Sequence, residues 1–210
     1  PFEDYADTYV GQQSKRWLEG YADEQPWMLW ASFGGPHEPW DTPEPYASMY
    51  DPADMPEPLP RPGWLEDIPD DTDTARYFRA QENAYEKEGG FSQQLARELA
   101  ANYAGNVTLI DDQIAELLDT VEARGEMDNT IIVVVSDHGE MNGDRGVIHK
   151  NNCLEQAARI PLIIRTPETA QRGGAACAQP VELIDLGAIL CDVADGDWPG
   201  LADPSLAERL

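Results

Sequence analysis

The chain has 210 residues, 41% of them hydrophobic, and six tryptophans, enough to bury a real core in one large domain or in part of a bigger one. Forty acidic residues against fourteen basic ones give a formal charge of −26, which excludes nucleic acid and an anionic membrane as expected partners. No apolar run approaches the roughly 18 residues that span a bilayer. No signal peptide is visible, and because the first residue is Pro1 rather than Met, loss of one by processing is compatible with the sequence. The expected location is therefore either exported or periplasmic, or the cytoplasm of a salt-adapted cell. The acids are dispersed rather than gathered in a tail, so they form a mutually repelling surface that salt would screen. The melting temperature is expected to rise from low to molar KCl; a flat profile would contradict salt adaptation.

In chain order, Tyr5 to Gly20 reads as a helix, with apolar Tyr9, Val10, Trp17 and Leu18 and a glycine stop. Trp27 to Phe33 is too short for a comfortable helix and reads as a strand. It ends in Gly34-Gly35-Pro36-His37-Glu38-Pro39-Trp40, where the glycines permit a tight turn and the prolines favour an extended backbone around His37. From Thr42 to Pro69 the density of proline forbids regular helix or a central strand, so a long surface loop is expected. Asp70 to Gly90 is polar and reads as loop with a short helix, making residues 42–90 a loop insertion within a single partial domain spanning 1–210.

Phe91 to Arg124 is the strongest helical pattern. Leu95, Leu99, Tyr103, Val107, Ile110, Ile114, Leu117, Leu118 and Val121 recur at three- and four-residue spacing, a stripe expected to pack on a sheet. A kink is foreseen at Gly105 and a stop at Gly125. Asp111 and Asp112 are expected to face solvent or a strand end rather than a metal. Thr130 to Ser136 reads as a buried strand, Asn151 to Arg159 as a short helix, Ile160 to Ile164 as a strand and Val181 to Val193 as a final helix. Cys153, Cys177 and Cys191 form no CxxC pair and are expected to be buried or inert thiols.

The Thr130–Ser136 strand ends in Asp137-His138-Gly139-Glu140, with His149-Lys150 ten residues on. In open α/β sheets, ligands gather at the carboxyl ends of strands. A carboxylate with an imidazole suits a divalent cation, and the lysine beyond suits an anion held against it. An ordinary strand end with a solvated Asp-His turn is the plain alternative.

Five segments in register resemble the sulfatase family of the alkaline-phosphatase superfamily, over roughly residues 5 to 195. They are Ser32 to Pro39 with the preceding strand, the helix Tyr103 to Ile114, Asp128 to Glu140, Gly143 through Lys150, and Glu155 through Ile164. The resemblance implies an α/β fold with an alkaline-phosphatase-like mixed sheet flanked by helices, present here as a partial domain. It also implies roles. Asp137 and His138 align with residues that complete a divalent-metal site, usually calcium, with manganese or zinc the alternatives. His37 aligns with a proton donor to the leaving alcohol, and Lys150 with the lysine that holds the sulfate oxygens. His149 is as readily assigned a supporting or exposed role.

The family nucleophile, a Cys or Ser in a C/S-x-P-x-R pattern converted to formylglycine, has no counterpart here, and neither do the two consecutive aspartates of the metal site. Leu154 stands where the family often has Tyr. The expectation is a C-terminal portion of the catalytic domain, inactive alone and prone to self-association through an uncovered sheet edge, its formylglycine supplied by a missing segment. The expected function is sulfuric-ester hydrolysis of a small molecule or glycan. The alternatives are a phosphodiesterase or phosphonate monoester hydrolase of the same superfamily, or a non-catalytic acidic metal-binding module.

Overall fold

In chain order the elements are α1 (Ala6–Gly20), α2 (Asp73–Glu86), α3 (Gln93–Ala123), β1 (Ile132–Val135), α4 (Glu155–Ala158), β2 (Leu162–Arg165), α5 (Pro167–Arg172) and α6 (Leu183–Val193). They come from a computed structural model that describes residues 2–22, 24–86, 92–172, 174 and 176–193. The chain divides into two compact units, Pro1–Pro167 and Glu168–Leu210. α6 lies in the second, with Leu186 and Ile189 buried on one face. No described helix is long and apolar enough to cross a membrane.

α3 begins where Ser92 caps it, its hydroxyl accepting from the Leu95 N–H at 3.1 Å, and it ends at Arg124 before Gly125 with φ +70°. Its buried line is not the apolar stripe that spacing suggests. Ala101, Gly105, Leu109, Gln113, Leu117 and Val121, each four residues from the last, are buried, whereas Val107 is exposed. Small and polar residues on this line let other backbone come close. A Cβ at Gly105 would overlap the Tyr46 carbonyl, so the glycine serves close approach within one continuous 31-residue helix. The partners also differ from expectation. α3 packs on α1 and on the 3-10 turn Tyr46–Ser48 rather than across the two-stranded sheet.

Leu18 of α1 meets Leu117 and Val121 of α3, and Trp27, Leu29, Ala31 and Phe33 pack against this cluster. The segment 27–33 therefore alternates as a strand would, with Met28 and Trp30 turned outward, but no described strand pairs with it. A strand needs a ladder as well as a pattern, and the pattern alone was readable. The sheet that forms is β1 antiparallel to β2, with Val133 opposite Ile164 and Val135 opposite Leu162, and β1 is half-buried rather than sealed on both faces.

The Pro-rich stretch contains only 3-10 turns, at Tyr46–Ser48, Pro52–Asp54 and Gly63–Glu66. It is tied down through Tyr46, whose hydroxyl donates to Asp112 Oδ2 at 2.6 Å. That hydrogen bond, with burial and the Asp112 charge, pushes the phenol up to about 12. Asp112 is thus a structural acceptor and Asp111 is exposed. Downstream, α2 is a full 14-residue helix where loop with a short helix was expected. Its Phe78 is buried against Met141, Val147 and Ala157, an anchor that polar composition conceals. Cys153 and Cys177 are exposed free thiols, which removes burial from the expectation of buried or inert thiols for these two, and Cys191 is partly buried.

Candidate active site

The segment 27–33 delivers the turn Gly34–Pro39, so His37 sits in a bend rather than in extended chain; the Gly35-Pro36 and Glu38-Pro39 bonds are both cis. His37 Nδ1 lies 2.8 Å from the Glu38 backbone oxygen and 3.0 Å from Glu38 Oε2. The backbone contact suits an Nδ1–H tautomer. Lys150 Nζ donates to the same Oε2 at 3.1 Å, and His149 Nδ1 lies 3.4 Å from Oε1. His37 and Lys150, far apart in sequence, therefore meet on one carboxylate. Burial works against ionising Glu38, but its own backbone N–H, the Lys150 hydrogen bond and the His149 and Lys150 charges outweigh that and hold the carboxyl below its usual range.

The loop presenting His149 and Lys150 is fixed from beneath. Met141, Val147 and Ile148 are fully buried, and the Tyr77 hydroxyl of α2 donates to the Ile148 carbonyl at 3.5 Å. Asp144 closes the other side, accepting from the Leu59 N–H at 2.7 Å and from Gln156 Nε2 at 2.9 Å. Above that floor the His149 ring stacks on Trp40 at 5.8 Å and 13°, with its backbone at φ +67° and its N–H given to Glu140 Oε1. The Lys150 side chain is only 15% exposed, so its ammonium is a partly desolvated charge and a strong anion holder once Glu38 yields it.

Asp137 and His138 stand where the sequence places them, just after β1, but their recorded contacts are local. Asp137 Oδ1 accepts from the His138 N–H at 2.8 Å, and the Asp137 side chain is 79% exposed. No recorded contact joins this pair to His37 or Lys150. Two observations test its fit to a divalent cation. Asp137 Oδ2 and His138 Nε2 are 3.5 Å apart, close enough to touch one ion. His138 Nδ1 lies 3.0 Å from the Gly139 carbonyl oxygen, which suits an Nδ1–H tautomer and leaves the Nε2 lone pair for the metal. The pair fits as two ligands of a larger set. Glu38, Glu140 and His149 form another group within metal-ligating reach of one another, but Lys150 already neutralises Glu38 there.

Sequence reasoning missed Glu38 and Trp40. An acid next to the histidine was visible, but nothing in local spacing shows that it faces Lys150, 112 residues away. Glu140 stood inside the Asp137-His138-Gly139 motif without a role, and its grip on His149 depends on the left-handed backbone at that residue.

The sequence model of the sulfatase family matches residues 1–196, and the chain belongs to that family. The choline-sulfatase of Rhizobium meliloti is 41% identical over 68 residues, 32% of this chain and 13% of that protein. The arylsulfatase of Clostridium perfringens is 34% identical over 108 residues, 50% of this chain and 22% of that protein. In structure, a phosphonate monoester hydrolase from Silicibacter pomeroyi superposes with a TM-score of 0.77 at 30% identity, over 98% of this chain and 42% of that one. The alkaline-phosphatase-like α/β fold follows, and the chain spans less than half the length of each of these proteins.

Proposed function

We propose that the protein to which this chain belongs is a metal-assisted sulfuric-ester hydrolase, with His37, Lys150, Asp137 and His138 contributing one side of its active site. The observation that carries the reading is the meeting of His37 and Lys150 on Glu38. Lys150 holds an equatorial sulfate oxygen, and the anion displaces Glu38 from the ammonium as it binds. With Nδ1–H held by the Glu38 backbone oxygen, the imidazolium form of His37 carries its second proton on Nε2, gives it to the leaving alcohol oxygen as the S–O bond breaks, and returns to the neutral Nδ1–H tautomer. Asp137 and His138 would hold the divalent ion, calcium with manganese or zinc as alternatives, and the ion would supply positive charge against the ester oxygens. The nucleophile, a formylglycine, comes from outside these 210 residues, so this chain alone turns over no ester.

A second reading, phosphonate monoester hydrolysis, is favoured by the likeness to the Silicibacter pomeroyi enzyme over nearly the whole chain. Sulfate and phosphonate monoesters present similar trigonal transferring groups, so charge and leaving-group help serve both. The test is kcat/KM of the full-length gene product on an aryl sulfate and on an aryl phosphonate monoester. The sulfate is expected to be the better substrate; the reverse order replaces the first reading with the second.

A further inference from the structure

Asp7 is a carboxylate in the first helical turn, 1% exposed, with no basic side chain bonded to it among the described residues. An ionised carboxylate in such a place needs hydrogen-bond donors, because its desolvation is otherwise far too costly. Its donors are backbone. The Gly34 N–H reaches Oδ1 at 2.8 Å and the Gly35 N–H reaches the same atom at 3.0 Å. These are the two residues of the turn that immediately precedes Pro36-His37.

The opposite wall is α3. Asn106, 3% exposed, lies 2.8 Å from the Tyr5 hydroxyl through its amide nitrogen, and its Oδ1 has no partner. A Cβ at Gly35 would overlap both Asn106 Oδ1 and Asp7 Oδ2, so those two atoms converge on one point of the turn. Asn106 is itself held by Tyr5, its amide nitrogen donating to the phenol oxygen at 2.8 Å, so the turn is closed in between α3 and the Asp7 carboxylate. Burial and the Asp7 charge push the Tyr5 hydroxyl up, which keeps it a neutral phenol. Glycine is required at position 35 because α1 and α3 grip the turn there.

We infer that Asp7, backed by Asn106 and Tyr5, is the positioning residue for His37: a buried carboxylate that fixes the Gly34-Gly35 turn and so sets where the imidazole meets the leaving oxygen. Asp7 touches no substrate. It acts through two peptide N–H groups, and charge-assisted bonds of this kind are about twice as strong as neutral ones. The inference rests on the proposed acid role of His37 and makes a claim that a merely structural aspartate does not. Misplacing a proton donor harms only reactions that need the proton.

The experiment compares kcat/KM of the full-length gene product on a nitrophenyl sulfate, whose leaving group needs little protonation, with an alkyl sulfate, whose leaving group needs it. Asp7→Ala is expected to lose about 100-fold on the alkyl ester and under about 3-fold on the nitrophenyl ester. Asp7→Asn, which keeps one acceptor oxygen for both N–H groups, is expected to show the same selectivity at about 10-fold, and decides the matter if the alanine variant does not fold. Equal losses on both substrates, or none on either, in the variant that folds would overturn the inference. His37→Ala in parallel separates the two layers. If it shows no selective loss, the acid role of His37 fails; if it does and the Asp7 variants do not, only the positioning role fails.

Discussion

Asp137→Ala in the full-length gene product is expected to lower sulfate-ester turnover by about three orders of magnitude, and His37→Ala by about 10² to 10⁴. The two losses have different causes and should look different. Asp137 is a carboxylate at a strand end, open to solvent, with its Oδ2 3.5 Å from His138 Nε2, so under the proposed ligand role its removal is expected to weaken metal retention. Excess divalent metal should recover part of that activity by mass action. In the proposed mechanism His37 contributes a proton rather than a ligand, so added metal should leave its variant unchanged. Steady-state assays across a metal titration check both. Full activity in Asp137→Ala without added metal would contradict the ligand assignment.

The largest stability effect is expected at Leu18→Ala, a loss of about 2 to 5 kcal/mol. Leu18 is fully buried where α1 crosses α3, against Leu117 and Val121, with Trp27, Leu29, Ala31 and Phe33 around it. Those neighbours lie on α3 and an extended segment, so they cannot all close on the vacated space without moving the segment that leads to Gly34 and His37. Chemical denaturation of the folded protein measures the loss, and a change under about 0.5 kcal/mol would mean that the cluster does not hold α1 to α3.

What the sequence disclosed was mostly local chemistry. The approximate bounds of α1 and α3, the stop at Gly125, and the family motifs around His37, Asp137 and Lys150 rest on residue types whose local preferences are strong. What it hid was non-local. The line by which α3 packs is made of Ala101, Gly105 and Gln113 as much as leucine, and such residues give no apolar signal. The 27–33 segment alternates like a strand, yet pairing depends on a neighbour that no local pattern specifies. α2 looks polar because Ala75 and Phe78 are its only fully buried described side chains. Asp7 reads as an ordinary acid in the first turn of a helix until the glycine N–H groups at 34 and 35 are seen to end on it. Glu38 was in plain view beside His37, but its role is decided by where the 141–150 loop folds.

The central claim is that Lys150, drawn onto Glu38 in this structure, is the sulfate holder of a sulfuric-ester hydrolase. The most direct measurement is kcat/KM for an aryl sulfate in the full-length gene product and its Lys150→Ala variant. A fall of about 10² to 10³ is predicted from the loss of one partly desolvated positive charge at the transferring group. A variant that hydrolyses the ester as well as the parent would contradict the claim.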